Sequence, residues 1–184
     1  TLRKKARAVL AKEIGSPELA AIIKKMSAAL KTQEDGVALA APQINESLQL
    51  FIASAKIMEM VESDIAPDEA LEKIKKVKRR DSVFINPVII KKSRKTKMLE
   101  EGCLSVRNKY GRIKRSTNVT IEAINEHGEK ISRGAGGLLA QIFQHETDHL
   151  HGVLFIDSAT GVEDMPPHDH EAKTSKEMNS KDHA

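Results

Sequence analysis

The chain has 184 residues, 40% of them hydrophobic, with 30 Lys and Arg against 26 Asp and Glu for a net charge of +4. That length favours one ordinary domain, and with 3% aromatics and no tryptophan its core is expected to be aliphatic. A single cysteine excludes an internal disulfide, no apolar run approaches the ~18 residues of a membrane span, and no signal-peptide pattern opens the chain. A reducing cytoplasm is therefore the expected setting, an organellar one staying open. The basic balance is mild and no RNA-reading motif accompanies it, so no sequence-specific nucleic-acid partner and no membrane partner are expected. The first residue is Thr1, and a few residues are expected to precede it.

Gly15-Ser16-Pro17-Glu18 reads as a helix start, with Ser16 as cap, Pro17 at the first helical position and Glu18 in the first turn. Leu19, Ile22, Ile23, Met26, Ala29 and Leu30 keep helical spacing, so the helix should run to about Thr32, with Asp35-Gly36 as the turn out of it. Residues 48–53 read as a strand. Residues 56–80 read as a charged helical insertion broken at Pro67, with Glu69/Lys73 and Glu72/Lys76 at i,i+4. The basic run from Lys75 to Arg80 reads as a solvated helix end. Ser82–Asn86 and Val88–Lys91 read as two short strands around Pro87. Residues 119–124 alternate and are β-branched, which predicts a strand; residues 125–128 turn, and 129–132 return as its partner. Gly134 to Gly137 reads as a flexible lead-in to a helix with Leu138, Leu139, Ile142, Phe143 and Leu150 on an apolar face. Residues 159–184, rich in Pro, His, Lys and Glu, read as a disordered tail. The expectation is one α+β domain over residues 1–158.

The chemistry concentrates in Gln144-His145-Glu146-Thr147-Asp148-His149-Leu150, an H-E-x-x-H pattern. At about 100° per helical residue, His145 and His149 share a face and reach one cation, whereas His151 points away. Glu146 flanks that face without ligating, where a general base belongs. A catalytic metal needs about three protein ligands and one open position. The metzincin extension matches at Gly152 but ends on Phe155, which cannot ligate, and Glu163 and Glu171 fall in the expected tail. Cys103, in Glu101-Gly102-Cys103-Leu104-Ser105, is the better third ligand, a thiolate suited to Fe(II), Zn, Ni or Co. Two unpaired histidines on a buried apolar helix would be costly, which favours a metal over core histidines. His168, His170 and His183 read as solvated tail residues.

These segments, in this order, resemble the peptide deformylases, metalloenzymes that remove the N-formyl group from nascent bacterial-type proteins. Gly36-Val37-Ala38-Leu39-Ala40-Ala41-Pro42-Gln43 is similar to the family's G-x-G-L-A-A-x-Q, while E-G-C-L-S at 101–105 and Q-H-E-x-D-H-L at 144–150 match in full. The resemblance spans roughly residues 1–158. It implies small antiparallel or mixed sheets around a central helix carrying the H-E-x-x-H. It also implies Cys103, His145 and His149 as ligands of one divalent metal ion, typically Fe(II) natively, with Zn, Ni or Co as substitutes. Glu146 would take the water proton and pass it to the leaving amine, with the Gln43 amide and the Leu104 backbone N–H as oxyanion donors.

The implied substrate is an N-formylmethionyl nascent peptide, presented near the ribosome and paired as an added strand along Gly36, Val37 and Ala38. Gly102 would line the cleft, and Val37 and Ile142 the methionine pocket. Ala38 departs from the family's glycine, which predicts a methyl group narrowing the cleft or an altered backbone preference. The helical insertion and the missing C-terminal helix are further departures. Two alternatives stay open: another H-E-x-x-H metallopeptidase, which would not need Cys103, and a non-catalytic peptide- or ribosome-binding module, which would not need Glu146.

Overall fold

The structure is a computed structural model that describes residues 1–33, 36–63 and 80–164, the Arg107 side chain excepted. Helix α1 (Pro17–Lys31) starts where the sequence says: Ser16 Oγ accepts from the Leu19 N–H at 3.1 Å, and Thr32 closes the last turn. It buries Leu19, Met26 and Leu30. β1 (Ala38–Ala40) and β2 (Leu50–Ala53) pair antiparallel, with Ala38 opposite Ala53. Helix α2 (Ala55–Ser63) is the part of the predicted insertion that lies within the described residues. Pro67, the two Glu/Lys pairs and most of the basic run lie outside them, as do Asp35, Glu171 and the three tail histidines.

β3 (Ser82–Lys92) is one strand rather than two. Pro87 is tolerated because it falls in a bulge: the register with its partner shifts between Ile85 and Val88, and Asn86 adopts φ 49°. The Asn86 side chain makes up for the lost ladder, accepting from the Val9 N–H and donating to the Val9 carbonyl, both at 2.8 Å. β4 (Thr96–Cys103) and β5 (Val106–Ser116) form a hairpin that hydrophobic periodicity did not announce. β6 (Asn118–Ile124) pairs with β7 (Lys130–Gly136). The expected glycine lead-in is therefore strand: Gly134 sits opposite Thr120 and Gly136 opposite Asn118, small residues being accepted where every rung is still made. Helix α3 (Gly137–Leu150) follows at once. Residues 160–164, expected in the tail, instead form β8 (Thr160–Asp164) on β5, main-chain pairing supplying what side-chain hydrophobicity does not. Residues 165–184 lie outside the described residues.

Among the described residues the strands form two sheets, in the orders β1-β2-β3-β6-β7 and β4-β5-β8. Period-two alternation splits the core around the larger one. Leu39, Leu50, Ile52, Val83 and Ile85 face α1, while Ala40, Phe51, Ala53 and Phe84 face α3. The core is largely aliphatic as expected, but Phe51 stacks on Phe84 at 4.6 Å and Phe143 meets Phe84 edge-on at 5.1 Å. This fixes α3 over the sheet. The chain turns away just past the helix at Gly152, whose φ of 77° suits glycine and where a Cβ would sit 2.8 Å from the Arg3 backbone.

Gln144 anchors α3 from the side. Its amide donates to the Ser116 and Ala140 carbonyls at 3.0 and 2.8 Å, and its oxygen accepts from the Ser116 N–H at 3.0 Å. Gln144→Leu fills the same buried space but leaves the Ser116 backbone unpaired. It should lower unfolding free energy by about 1–3 kcal/mol in urea denaturation.

Candidate metal centre

α3 and the β4–β5 hairpin meet at one point. His145 and His149, one turn apart, place their Nε2 atoms 3.1 Å from each other, and Cys103 Sγ lies 3.2 Å from His149 Nε2. The three donor atoms all fall within 4.8 Å of one another, the one such Cys/His/carboxylate group among the described residues. A tetrahedral ion with bonds of about 2.0–2.3 Å requires donors about 3.3–3.8 Å apart, so the cradle suits a transition metal. Two ring nitrogens turned on each other at 3.1 Å can share only one proton, and a cation satisfies both. His151 is exposed, with Nδ1 on the Thr147 carbonyl at 2.8 Å, away from the cluster.

His145 is oriented from behind. Its Nδ1–H donates to Glu101 Oε2 at 3.0 Å, which leaves Nε2 aimed at the cluster. Glu101 is buried and takes two further bonds from Arg115, Nε to Oε1 at 2.7 Å and Nη2 to Oε2 at 2.9 Å. Arg115 Nη1 also donates to Asp148 Oδ2 at 2.6 Å. Burial pushes the Glu101 carboxyl up, but Arg115 and His145 outweigh it and hold its pKa at about 2. Glu101 and Asp148 lie inside the two motifs, where their spacing gives no sign of this role. Arg115 belongs to no motif, and only the fold brings it there. The Phe155 ring stacks near that of His145, centroids 6.4 Å apart.

Among the two histidines, burial opposes charge on His145, but Cys103 and Glu101 outweigh it and hold this ring protonated well above its ordinary range. Burial, joined by the His145 charge, holds His149 neutral. Glu146 is 5% exposed, and its Oε2 has no hydrogen-bond partner. Burial raises its pKa to about 7, against the pull of His145. A carboxylate of that basicity beside the cradle, with an open acceptor, is matched to taking up a proton near neutral pH.

The remaining predicted residues fall around the same point. Gln43 lies in a 3-10 turn (Ala41–Ile44) after β1. Its Oε1 accepts from the Ala40 N–H at 2.7 Å, and its Nε2 donates to Ser105 Oγ at 3.1 Å and reaches Cys103 Sγ at 3.8 Å. Leu104 is half-buried at the hairpin tip. Gly102 is required by Tyr110, whose ring carbon Cε1 would stand 2.6 Å from a Cβ there. Among the described residues β1 is an edge strand, bonded to β2 alone. Ala38 pairs with Ala53 in register; the residue is 6% exposed and belongs to the core cluster. Ile142 belongs to that cluster, and Val37 packs against it.

The sequence model of the polypeptide deformylase family matches residues 1–165. The chain is 39% identical over 159 residues to the protein named peptide deformylase 2 of Clostridium acetobutylicum, covering 86% of this chain and 89% of that one. It is 41% identical over 123 residues to the peptide deformylase of Pseudothermotoga lettingae, covering 67% of this chain and 58% of the other. In three dimensions it is similar to the Met-Ala-Ser-bound class I type b peptide deformylase of Acinetobacter baumannii, with a TM-score of 0.70, 30% identity, and coverage of 85% of this chain and 91% of that one.

Proposed function

Because the chain belongs to the peptide deformylase family, we propose that it hydrolyses the N-formyl group of N-formylmethionyl nascent peptides and releases formate. The observation that carries this reading is the Cys103-His145-His149 donor set lying beside a buried Glu146 with an unpaired Oε2. In this reading Cys103, His145 and His149 hold one divalent cation, Fe(II) as the native choice and Zn, Ni or Co as substitutes. When bound, it supplies Lewis acidity that lowers the pKa of a water towards neutrality.

The chain's own residues do the rest. Glu146 accepts the water proton as oxygen attacks the formyl carbon, then returns it to the departing amine nitrogen. Gln43, its carbonyl tied to the Ala40 N–H, turns its amide N–H groups towards the hairpin tip, and with the Leu104 N–H donates to the oxyanion. The peptide adds as a strand on the free edge of β1 along Gly36, Val37 and Ala38, past Gly102, with its methionine towards Val37 and Ile142. Met-Ala-Ser, bound in the Acinetobacter relative, has the product's form. Chains leaving the ribosome in the cytoplasm are the source of such substrate.

The test is formate release from N-formyl-Met-Ala-Ser by protein prepared anaerobically with Fe(II). Release is expected, and none from folded, metal-loaded protein overturns the reading. Cys103→Ala should lose stoichiometric metal by elemental analysis; a metallopeptidase relying on another third ligand keeps it. Gln43→Leu should retain metal but lower kcat by about 10²–10³ through loss of one oxyanion donor, read in the same formate assay.

A further inference from the structure

β8 pairs antiparallel with β5 at Lys109–Asp164, Tyr110–Glu163 and Arg112–Thr160. The extra residue on β8 is absorbed near Gly161, at φ 60°. Facing it is Gly111, where a Cβ would lie 2.9 Å from the Ala159 Cβ and 3.2 Å from Val162 Cγ2. Lys109 Nζ donates to Asp164 Oδ1 at 2.7 Å, and Thr160 Oγ1 donates to the Arg112 carbonyl at 3.3 Å. β8 residues are all exposed, so among the described residues it is the contacts with β5 that hold the strand in place.

The strand on the other edge of β5, β4, carries the thiol. The β4–β5 ladder is regular from Thr96–Ser116 to Gly102–Tyr110, then jumps to Cys103–Val106. Residues 107–109 leave the ladder, and Asn108 turns at φ 60°. Cys103 therefore sits at an irregular tip, beyond the last regular rung. That rung is Tyr110, packed on Gly102 on one side and paired with Glu163 of β8 on the other. A two-stranded ribbon end without a third strand is marginal in water and opens locally at little cost. The two histidines, by contrast, stand on a helix packed into the core.

We infer that β8 is a clasp: its pairing with β5 holds the Cys103 tip against His145 and His149, and metal retention depends on it. This rests on the metal-centre reading above. Phe155 and β8 then let one chain segment support both halves of the donor set, the ring stacked near His145 and the strand paired with Tyr110, the rung next to the thiol.

Four full-length variants test it, the last of them as a control. Gly111→Ala pushes β8 away without touching a donor. Lys109→Glu removes the ion pair at the clasp, and Lys109→Glu with Asp164→Lys restores it with reversed sign. Two rates are read: transfer of Co(II) from the loaded protein to a chelator, followed by the thiolate-to-Co(II) charge-transfer band, and alkylation of Cys103 by iodoacetamide in metal-free protein. Gly111→Ala should raise both about tenfold, in line with other losses of ligand support. Lys109→Glu should raise them less, and the double variant should return them towards wild type. Met26→Ala, in the opposite core cluster, should lower thermal stability while leaving both rates unchanged. Unchanged rates in Gly111→Ala, or equal rises in Met26→Ala, overturn the clasp. If Gly111→Ala fails to fold, the charge pair decides alone. If even the wild type binds no Co(II), the metal reading fails, while the alkylation rates still decide the clasp.

Discussion

Glu146→Gln should lower kcat for formate release by about 10²–10⁴ while metal content stays near one per chain. The amide has the same shape and fills the same buried space, so α3 and the cradle keep their geometry. What changes is proton affinity. A carboxylate held by burial at a pKa of about 7 can take a proton from water and give it to an amine within one turnover, and an amide can do neither. KM should change little, since Glu146 is not placed to hold the peptide. A fall in metal content parallel to the fall in kcat would instead make Glu146 a ligand. Retained activity would remove it from the reaction.

Arg115→Met should be the most destabilising of the substitutions considered, at about 3–5 kcal/mol in denaturant unfolding. The Arg115 side chain is 8% exposed and Glu101 3%. Deleting the guanidinium strands a buried carboxylate with only the His145 Nδ1–H as a charged neighbour. Glu101 would then protonate more readily and grip His145 less well, so metal affinity should fall along with stability. The wild-type pH dependence follows from the same pair. The Glu101 pKa is lowered from 4.5 to about 2 in the folded state, so its ionisation adds stability that is complete above pH 4.5 and is lost as pH falls through about 2. In Arg115→Met that acid limb should move up in pH, which equilibrium unfolding between pH 2 and 6 would detect. An unchanged limb would mean that His145 alone sustains the carboxylate.

What the sequence made legible follows the reach of each signal. Ser16 and Pro17 announce α1 because capping is local. The spacing of His145 and His149 announces a shared face because a helix has a fixed pitch. Cys103 joins them by elimination of other ligands, since nothing local ties a β-hairpin to a distant helix. Arg115 is not marked in the sequence for that reason: its partners come from β4 and α3, and one arginine in a strand that also carries the exposed Arg112 and Lys114 shows no sign of burial. Pro87 misled because proline reads as a strand break, whereas Asn86 and Val9 repair the ladder around it. β8 misled because its residues are polar and exposed, and a strand held by backbone pairing leaves no hydrophobic trace.

The close of α3 ties the chain's start to its later part. The Ala6 N–H donates to the Leu150 carbonyl at 2.9 Å, Arg3 pairs with Asp157, and the Arg3 backbone lies against Gly152. During synthesis Val9 can dock on Asn86 early, but Arg3 and Ala6 must wait for residues 150–157 before their own contacts exist. The donor set is likewise drawn from segments more than 40 positions apart (Cys103 Sγ to His149 is 46). Contacts this distant in sequence slow folding, because the loop must close before it is rewarded. A newly made copy therefore acquires its complete cradle late, after most of the domain has left the machinery that makes it.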